Sequence, residues 1–403
     1  RRDLAARVAE IAALPIQAER RGLWKAHNSL HPERPMILLF PEGGWTELMP
    51  ASSLVCEDAE ARSIEQNLRR RIYHHEHFAD DTVIEGDWIV NKAVESSGWG
   101  LEAENDPSTT ERGAWKFHPV LNSRDDLAKL RVPTITHDQS ETERRLALAH
   151  ELFDGILDVR VKGVAHVSYH LMAQYTKLRG LEQMMIDMFE APDFLHDTMR
   201  FLVEGHRSIL EQYQEQNLLS LNNDGTYHSS GGVGYTDEIP LPDCDPQRVR
   251  PDDMWASAES QELAQVGPAQ HEEFALRYER ELLEPFALTG YGCCEPLTDR
   301  LGMVFSIPGI RRLSISPWAD IRVAAEELGP NYIFSWKPRP MDLVGDFDED
   351  AIRAYLRETI ELALANDCAL EMILKDTHTC EHHPERFDRW SQIAREQVER
   401  AVG

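Results

Sequence analysis

Two places in this chain set reactive side chains directly behind runs that read as buried strands. In the first, Phe286-Ala287-Leu288-Thr289-Gly290 leads into Tyr291-Gly292-Cys293-Cys294-Glu295-Pro296. In the second, Leu370-Glu371-Met372-Ile373-Leu374-Lys375 leads into Asp376-Thr377-His378-Thr379-Cys380-Glu381-His382-His383. If both runs are staves of one barrel, their C-terminal ends open on the same face, and the thiols can converge there. That face is where barrels keep their chemistry. Thiolates, imidazoles and carboxylates are zinc ligands, and a catalytic zinc keeps one position open. A Zn²⁺ site at the mouth is the central expectation. The plain alternative is that free cysteines act as small buried apolar residues.

A second constellation is the polar loop Asn222-Asn223-Asp224-Gly225-Thr226-Tyr227-His228, continued by Gly231-Gly232-Val233-Gly234-Tyr235-Thr236-Asp237-Glu238. It lacks the G-K-[ST] of a phosphate loop, so it reads as a lid or substrate loop. His228, Tyr235 and Glu238 are its acid–base candidates, and Asn223 and Asp224 could contact substrate. His170 follows an apolar strand and could be a pocket group. Lys337 and Arg339, behind the strand ending at Trp336, could hold a carboxylate or phosphate. Trp45, Tyr235 and Trp336 would suit a methoxylated ring or a quaternary ammonium. His74, His75 and His77 continue the Arg69-Arg70-Arg71 helix face and read as exposed.

The elements that must position these groups alternate along the chain. Residues 3–28 are helical in period with a break at Pro15, and Pro35–Phe40 is a first buried strand ending in a Gly-rich loop. Residues 57–78 read as a helix, Asp81–Val90 as a strand, and the stretch to about 118 as an excursion. Further strands are expected at 156–161, 164–168, 218–221, 286–293, 312–316, 331–336 and 369–375, separated by helical segments. Strands spaced by helices imply crossovers and a parallel sheet, and about eight of them imply a (β/α)₈ TIM-type barrel. No G-x-G-x-x-G follows the first strand, which ranks an open doubly wound sheet behind. The domain reading is an N-terminal helical extension, 1–34, and a barrel, 35–403.

With 70 acidic and 42 basic residues, the formal net charge of −28 argues against nucleic acid or an anionic membrane as partner. Six cysteines in 403 residues are too sparse for a disulfide framework. No apolar run reaches the ~20 residues of a membrane helix, and no leader pattern precedes the first helix, so cytoplasmic is the expected location. The sequence leaves a homodimer open.

The order of these features resembles the uroporphyrinogen decarboxylase superfamily and, within it, the corrinoid-dependent methyltransferase branch. Lys177-Leu178-Arg179-Gly180-Leu181-Glu182 and Ala191-Pro192-Asp193-Phe194-Leu195-His196 are similar to its R-G-L-E helix and the turn that follows. The decarboxylases' R-Q-A-G-R motif has no counterpart: Phe40–Pro50 contains Glu42 and Glu47 and no arginine, which would repel a carboxylated porphyrin. The methyltransferase branch has a zinc-binding H-x-C after a late strand and a cysteine after the last. Here the resemblance offers Cys294 and Cys380, with Tyr291 or Gly292 at the histidine. A third ligand would come from Cys293, Glu295, His378 or another loop. It implies a methyltransferase subunit that moves a methyl group from a small methylated substrate to a separate corrinoid protein. An aryl methyl ether is the donor the aromatic inventory suggests. The rim around 226–240 would be the docking surface. A decarboxylase or lyase using Asp224 or His228, and a non-catalytic corrinoid- or tetrapyrrole-binding protein, are the alternatives.

Overall fold

The computed structural model describes residues 1–106, 116–228 and 231–403. Its centre is a sheet of seven strands: β1 (Met36–Leu39), β2 (Ser168–Tyr169), β3 (Trp255–Ala258), β4 (Leu288–Tyr291), β5 (Ile310–Ile315), β6 (Ile333–Trp336) and β7 (Ala369–Leu374). Their spatial order is β1-β7-β6-β5-β4-β3-β2, and every neighbouring pair is parallel. Chain order is kept around the sheet and the first strand pairs with the last. That is the order of a barrel, whereas a doubly wound sheet reverses at a switch point.

Among the described residues the ladder does not close between β1 and β2. Irregular chain fills the eighth place. Asp81 N donates to Ile37 O at 2.8 Å, and the carboxylates of Asp81 and Asp80 accept from Ile37 N and Leu39 N. On the other side Leu219 makes a single bridge to Val164. The structure is thus a seven-stranded, TIM-like arrangement with a seam rather than the expected eight-stranded barrel. Three expected strands account for the difference. Asp87–Asn91 pairs with Asp158–Lys162 as a separate ribbon, and 218–221 forms no strand. The unexpected strand is β3, whose Trp-Ala-Ser-Ala sequence shows neither alternation nor a long apolar run.

Period-two alternation sends one side of each strand outward to the helices and the other into the barrel. Ile37, Leu39, Leu313, Phe334, Trp336, Leu370 and Leu374 belong to the large outer core, whereas Met36, Leu38 and Ile373 pack inside with Val233 and Tyr235. Helices α1 (Arg2–Ala12) and α2 (Pro15–Asn28) divide at Pro15. The end of α2 plugs the N-terminal end of the barrel, where Asn28 Nδ2 donates to Val233 O and Tyr235 O at 2.9 and 2.7 Å. Helix α3 (Ala59–His77) packs Ile64 and Leu68 on Val8 and Ile11 of α1. Strands Glu104–Asp106 and Lys116–His118 pair as a hairpin within the excursion, whose residues 107–115 lie outside those described.

The loop expected as a lid on the rim is instead inside the barrel. Arg312 and Glu371, 2 % and 0 % exposed, form an ion pair of 3.0 Å there, with His27 Nε2 3.2 Å from the same carboxylate. The Arg312 guanidinium lies 4.9 Å above the Trp255 ring. Gly231 and Gly232 pass so close to this pair that a Cβ would collide with Arg312 Cδ and Glu371 Oε2. Only glycine permits that approach.

Candidate functional site at the C-terminal mouth

Five inward-facing positions carry chemistry at the strand ends: His170 after β2, Glu259 after β3, Cys293 after β4, Lys337 after β6 and Lys375 after β7. His170 Nδ1 and Glu259 close a short ion pair, and the second Glu259 oxygen accepts from Gln261 N at 2.9 Å. Gly292, at φ +95°, turns the chain sharply after β4 and leaves Cys294 exposed at the mouth. A Cβ there would sit 2.8 Å from Leu297 Cδ1 and 3.1 Å from Ser314 O, so the turn demands glycine.

Cys293 Sγ and Cys294 Sγ are 3.7 Å apart. Hydrogen bonding from Cys294 is the main reason the Cys293 thiol is lowered to about 6; burial opposes this and the charge of Lys375 assists. Cys294 moves the other way, so the pair shares one proton and the negative charge rests on Cys293. Burial lowers Lys337 to about 7, with Glu371 working against it and Lys375 with it. Its Nζ donates to Ser335 Oγ at 3.0 Å. Lys375 is held above its ordinary value: burial pulls it down, but the Cys293 thiolate, Asp376 and Glu42 outweigh that.

A buried chain of hydrogen bonds stands behind the thiols. Arg300 donates to His271 Nδ1 at 3.0 Å, which fixes the proton on Nε2. His271 Nε2 therefore donates to Tyr291 OH at 2.6 Å, and Tyr291 donates to Glu279 Oε2 at 2.7 Å. Ser260 Oγ donates to the other Glu279 oxygen at 2.7 Å. Ser260 N and Cys293 N then both donate to Glu295, at 3.1 and 2.9 Å, so one buried carboxylate ties the end of β3 to the end of β4.

The residues singled out from sequence scatter around this mouth. His170, Cys293, Cys294 and Lys337 meet there, and Glu42 stands beside Asp376 and Lys375. His228 is inside the barrel, 5.4 Å from the Trp255 ring, and burial lowers it to about 3. Tyr235 donates to Glu85 at 2.7 Å on the seam, and Glu238 is exposed and paired with Arg311 at 2.7 Å. These three do not form one site. Asn223 holds the loop through Ile239 O at 2.9 Å, and Asp224 pairs with Lys162 at 2.7 Å. Trp336 is fully buried on the outer side against Tyr355, and Trp45 packs on Tyr73 and Phe78 outside the barrel.

Two thiolates at about 2.3 Å from a tetrahedral zinc stand about 3.8 Å apart, and the Cys293–Cys294 pair matches that spacing. The rest of the expected set does not join them. Cys380 Sγ donates to Glu47 Oε2 at 3.0 Å, and burial with that carboxylate raises it to about 12. Glu295 is occupied by two backbone N–H groups, Tyr291 points back to Glu279, and His378 lies on the loop whose backbone packs on Gly43. Among the described residues no three His, Cys, Asp or Glu side chains gather as a metal group. The chain presents two ligands here, not the three that a catalytic zinc takes from protein.

The fold is similar to that of a methyltransferase from Methanosarcina mazei. The two superpose with a TM-score of 0.51 at 12 % identity, over 93 % of this chain and 97 % of the other. At that identity the likeness shows the fold alone, and it agrees with the TIM-like arrangement described above. No family model matches the chain, and no curated protein matches it. No helix among the described residues is long and apolar enough to cross a membrane.

Sequence reasoning missed Glu259, Lys375, Ser260 and Glu279. Lys375 was visible as a charge ending an apolar strand. Glu259 follows β3, which the sequence did not reveal, and so it had no frame.

Proposed function

We propose that this chain is a methyltransferase acting at the C-terminal mouth, taking a methyl group from a small methylated donor, an aryl methyl ether in first place. The acceptor implied by the resemblance is a corrinoid on a separate protein, which supplies a nucleophilic reduced metal centre. Gly231, Gly232 and Val233 pass inside the barrel against Arg312 and Glu371, so a corrinoid acceptor would be presented from outside. The observation that carries the reading is that Lys337 after β6 and Lys375 after β7 act electrostatically on the Cys293 thiol after β4, at the same end of the sheet.

In this reading the O–CH₃ bond breaks, the methyl group leaves to the acceptor, and the oxygen keeps the bonding electrons. Lys337 Nζ, titrating at about 7, gives that oxygen its proton. Lys375 stays charged and holds the developing oxyanion. The His170–Glu259 pair fixes the opposite wall. No step is routed through zinc, because the donor set is incomplete. The decarboxylase alternative is less favoured, since Asp224 and His228 lie on the seam and in the plug rather than at the mouth.

The test is a panel of methoxylated aromatics, methanol and methylamines with free cob(I)alamin, followed by loss of its absorbance. Slow methylation with one donor, reduced at least about tenfold by Lys337→Met, is the expected result. A folded protein that methylates nothing in the panel would refute the proposal.

A further inference from the structure

The Arg69-Arg70-Arg71 run has no part in the mouth, yet two of its members face a solvent-open pocket of their own. Between α3 and the segment after Phe78 lies a cavity of about 340 Å³, lined by Trp45, Ser63, Gln66, Asn67, Arg70, Arg71, His74, Thr82, Val83 and Ile84. The lining contains no carboxylate, in a chain where acidic residues outnumber basic ones by 28. His74 is committed to Asp80, at 2.8 Å. Arg71 gives its guanidinium to the main-chain oxygens of Asp87 and Glu85, and among the described residues no carboxylate oxygen lies within ion-pair range of it.

Arg70 is less satisfied still. Its guanidinium lies 5.1 Å above the Trp45 ring, and its buried Nε has no hydrogen-bond partner. Among the described residues it makes no ion pair. Burial works against both charges, and for Arg71 the Asp87 and Glu85 carboxylates offset part of it. Desolvated guanidinium groups persist where a counter-ion or hydrogen-bond acceptor completes them. Among the other liners, Ser63 and the side-chain amides of Gln66 and Asn67 can donate to oxygen as well, whereas the Thr82 hydroxyl is already given to Asp80 at 2.8 Å.

We propose that this cavity is a binding site for the phosphate group of a small phosphorylated molecule, with Arg70 and Arg71 as its charge partners. Two guanidiniums without an ion-pair partner among the described residues match the nearly double negative charge of a phosphate monoester at neutral pH, and their planar forks suit its oxygens. The cavity joins, through Asn67, Arg71 and Val83, a larger one of about 860 Å³ along the barrel seam. That neighbour has room for the organic part of the ligand, with Trp88 and Ile89 as apolar wall; Glu85, Asp87 and Asp224 also line it, so the part that lies there is neutral or cationic and only the phosphate end meets the arginines.

The site is independent of the thiol mouth, so its test is independent too. Inorganic phosphate and glycerol phosphate are titrated calorimetrically into the intact protein at fixed ionic strength, with sulfate and citrate as competing arms. Saturable binding is expected, tighter for glycerol phosphate than for inorganic phosphate, and weakened about tenfold or more by Arg70→Gln. Arg70→Lys should recover part of it. Arg70 makes no hydrogen bond that the fold needs, and the variant's melting temperature without ligand checks this. Absence of saturable binding at millimolar phosphate, equal binding by Arg70→Gln, or tighter binding of citrate than of either phosphate would each overturn the assignment.

Discussion

Reactivity of Cys293 is the sharpest reading of the mouth, because the geometry fixes both its direction and its cause. With the thiol lowered to about 6, about 90 % is thiolate at pH 7, against about 3 % for an ordinary thiol titrating near 8.5. The gain in rate is smaller than this ratio of about 30. Thiolate nucleophilicity falls with pKa at a slope of about 0.4–0.5, which removes about tenfold over 2.5 units. The net advantage is only about threefold at pH 7 but about tenfold at pH 6. The midpoint of the pH–rate curve, not the rate at one pH, is therefore the quantity to measure. Reaction with 2,2′-dithiodipyridine from pH 4 to 9.5, mapped by mass spectrometry, should label Cys293 with a midpoint near 6. Cys294→Ala removes the largest cause and should move the midpoint back toward the ordinary thiol range. Lys375→Met should move it in the same direction by a smaller step. A wild-type midpoint above about 8, or labelling confined to Cys294, would show that the arrangement of charges described at the mouth is wrong.

The buried pair inside the barrel should dominate stability. Glu371→Gln strands Arg312 and should cost about 3–5 kcal/mol in urea unfolding, whereas Arg312→Met with Glu371→Met should cost less than the single change. Burial pushes the Glu371 carboxyl up, but Arg312 and His27 outweigh it and hold it well below the usual range. Its contribution is therefore complete above the ordinary carboxylate range and lost as pH falls through the depressed folded value, which acid titration of the Glu371→Gln variant against wild type can check. Gly231→Ala drives a methyl group into Arg312 and should destabilise by about 1–3 kcal/mol in the same assay. Metal analysis after zinc loading should give the same content for Cys380→Ala as for wild type, because that thiol is tied to Glu47. Loss of stoichiometric zinc in Cys380→Ala would overturn this placement.

Runs such as Met36–Leu39, Ile333–Trp336 and Ala369–Leu374 are buried at every position, and that is why they are legible. Strand β3 is not legible in this way, since Ser257 turns inward while only small Ala256 and Ala258 face the outer core, and the run carries no hydrophobic period. The polar residues of the 222–239 stretch suggest a lid or substrate loop. Its glycines in fact let the backbone pass against Arg312 and Glu371, two charges that looked incidental in apolar strands. Likewise Cys380 sits behind a strand end as expected, but its partner Glu47 lies 333 residues earlier in the chain.

The sequence by itself determined the alternation of helix and parallel strand, the absence of a porphyrin-binding arginine cluster after β1, and the presence of the thiols behind β4. Local period and residue type are sufficient for such statements, because each depends on a few neighbouring positions. Tertiary structure alone decided that β1 closes on β7 while the seam to β2 stays irregular, that His170 meets Glu259, and that Cys380 turns away from Cys293. Those outcomes depend on strand register and on which distant charge neutralises which. A shift of one residue would reverse every inward and outward side chain without altering the local pattern that the sequence displays.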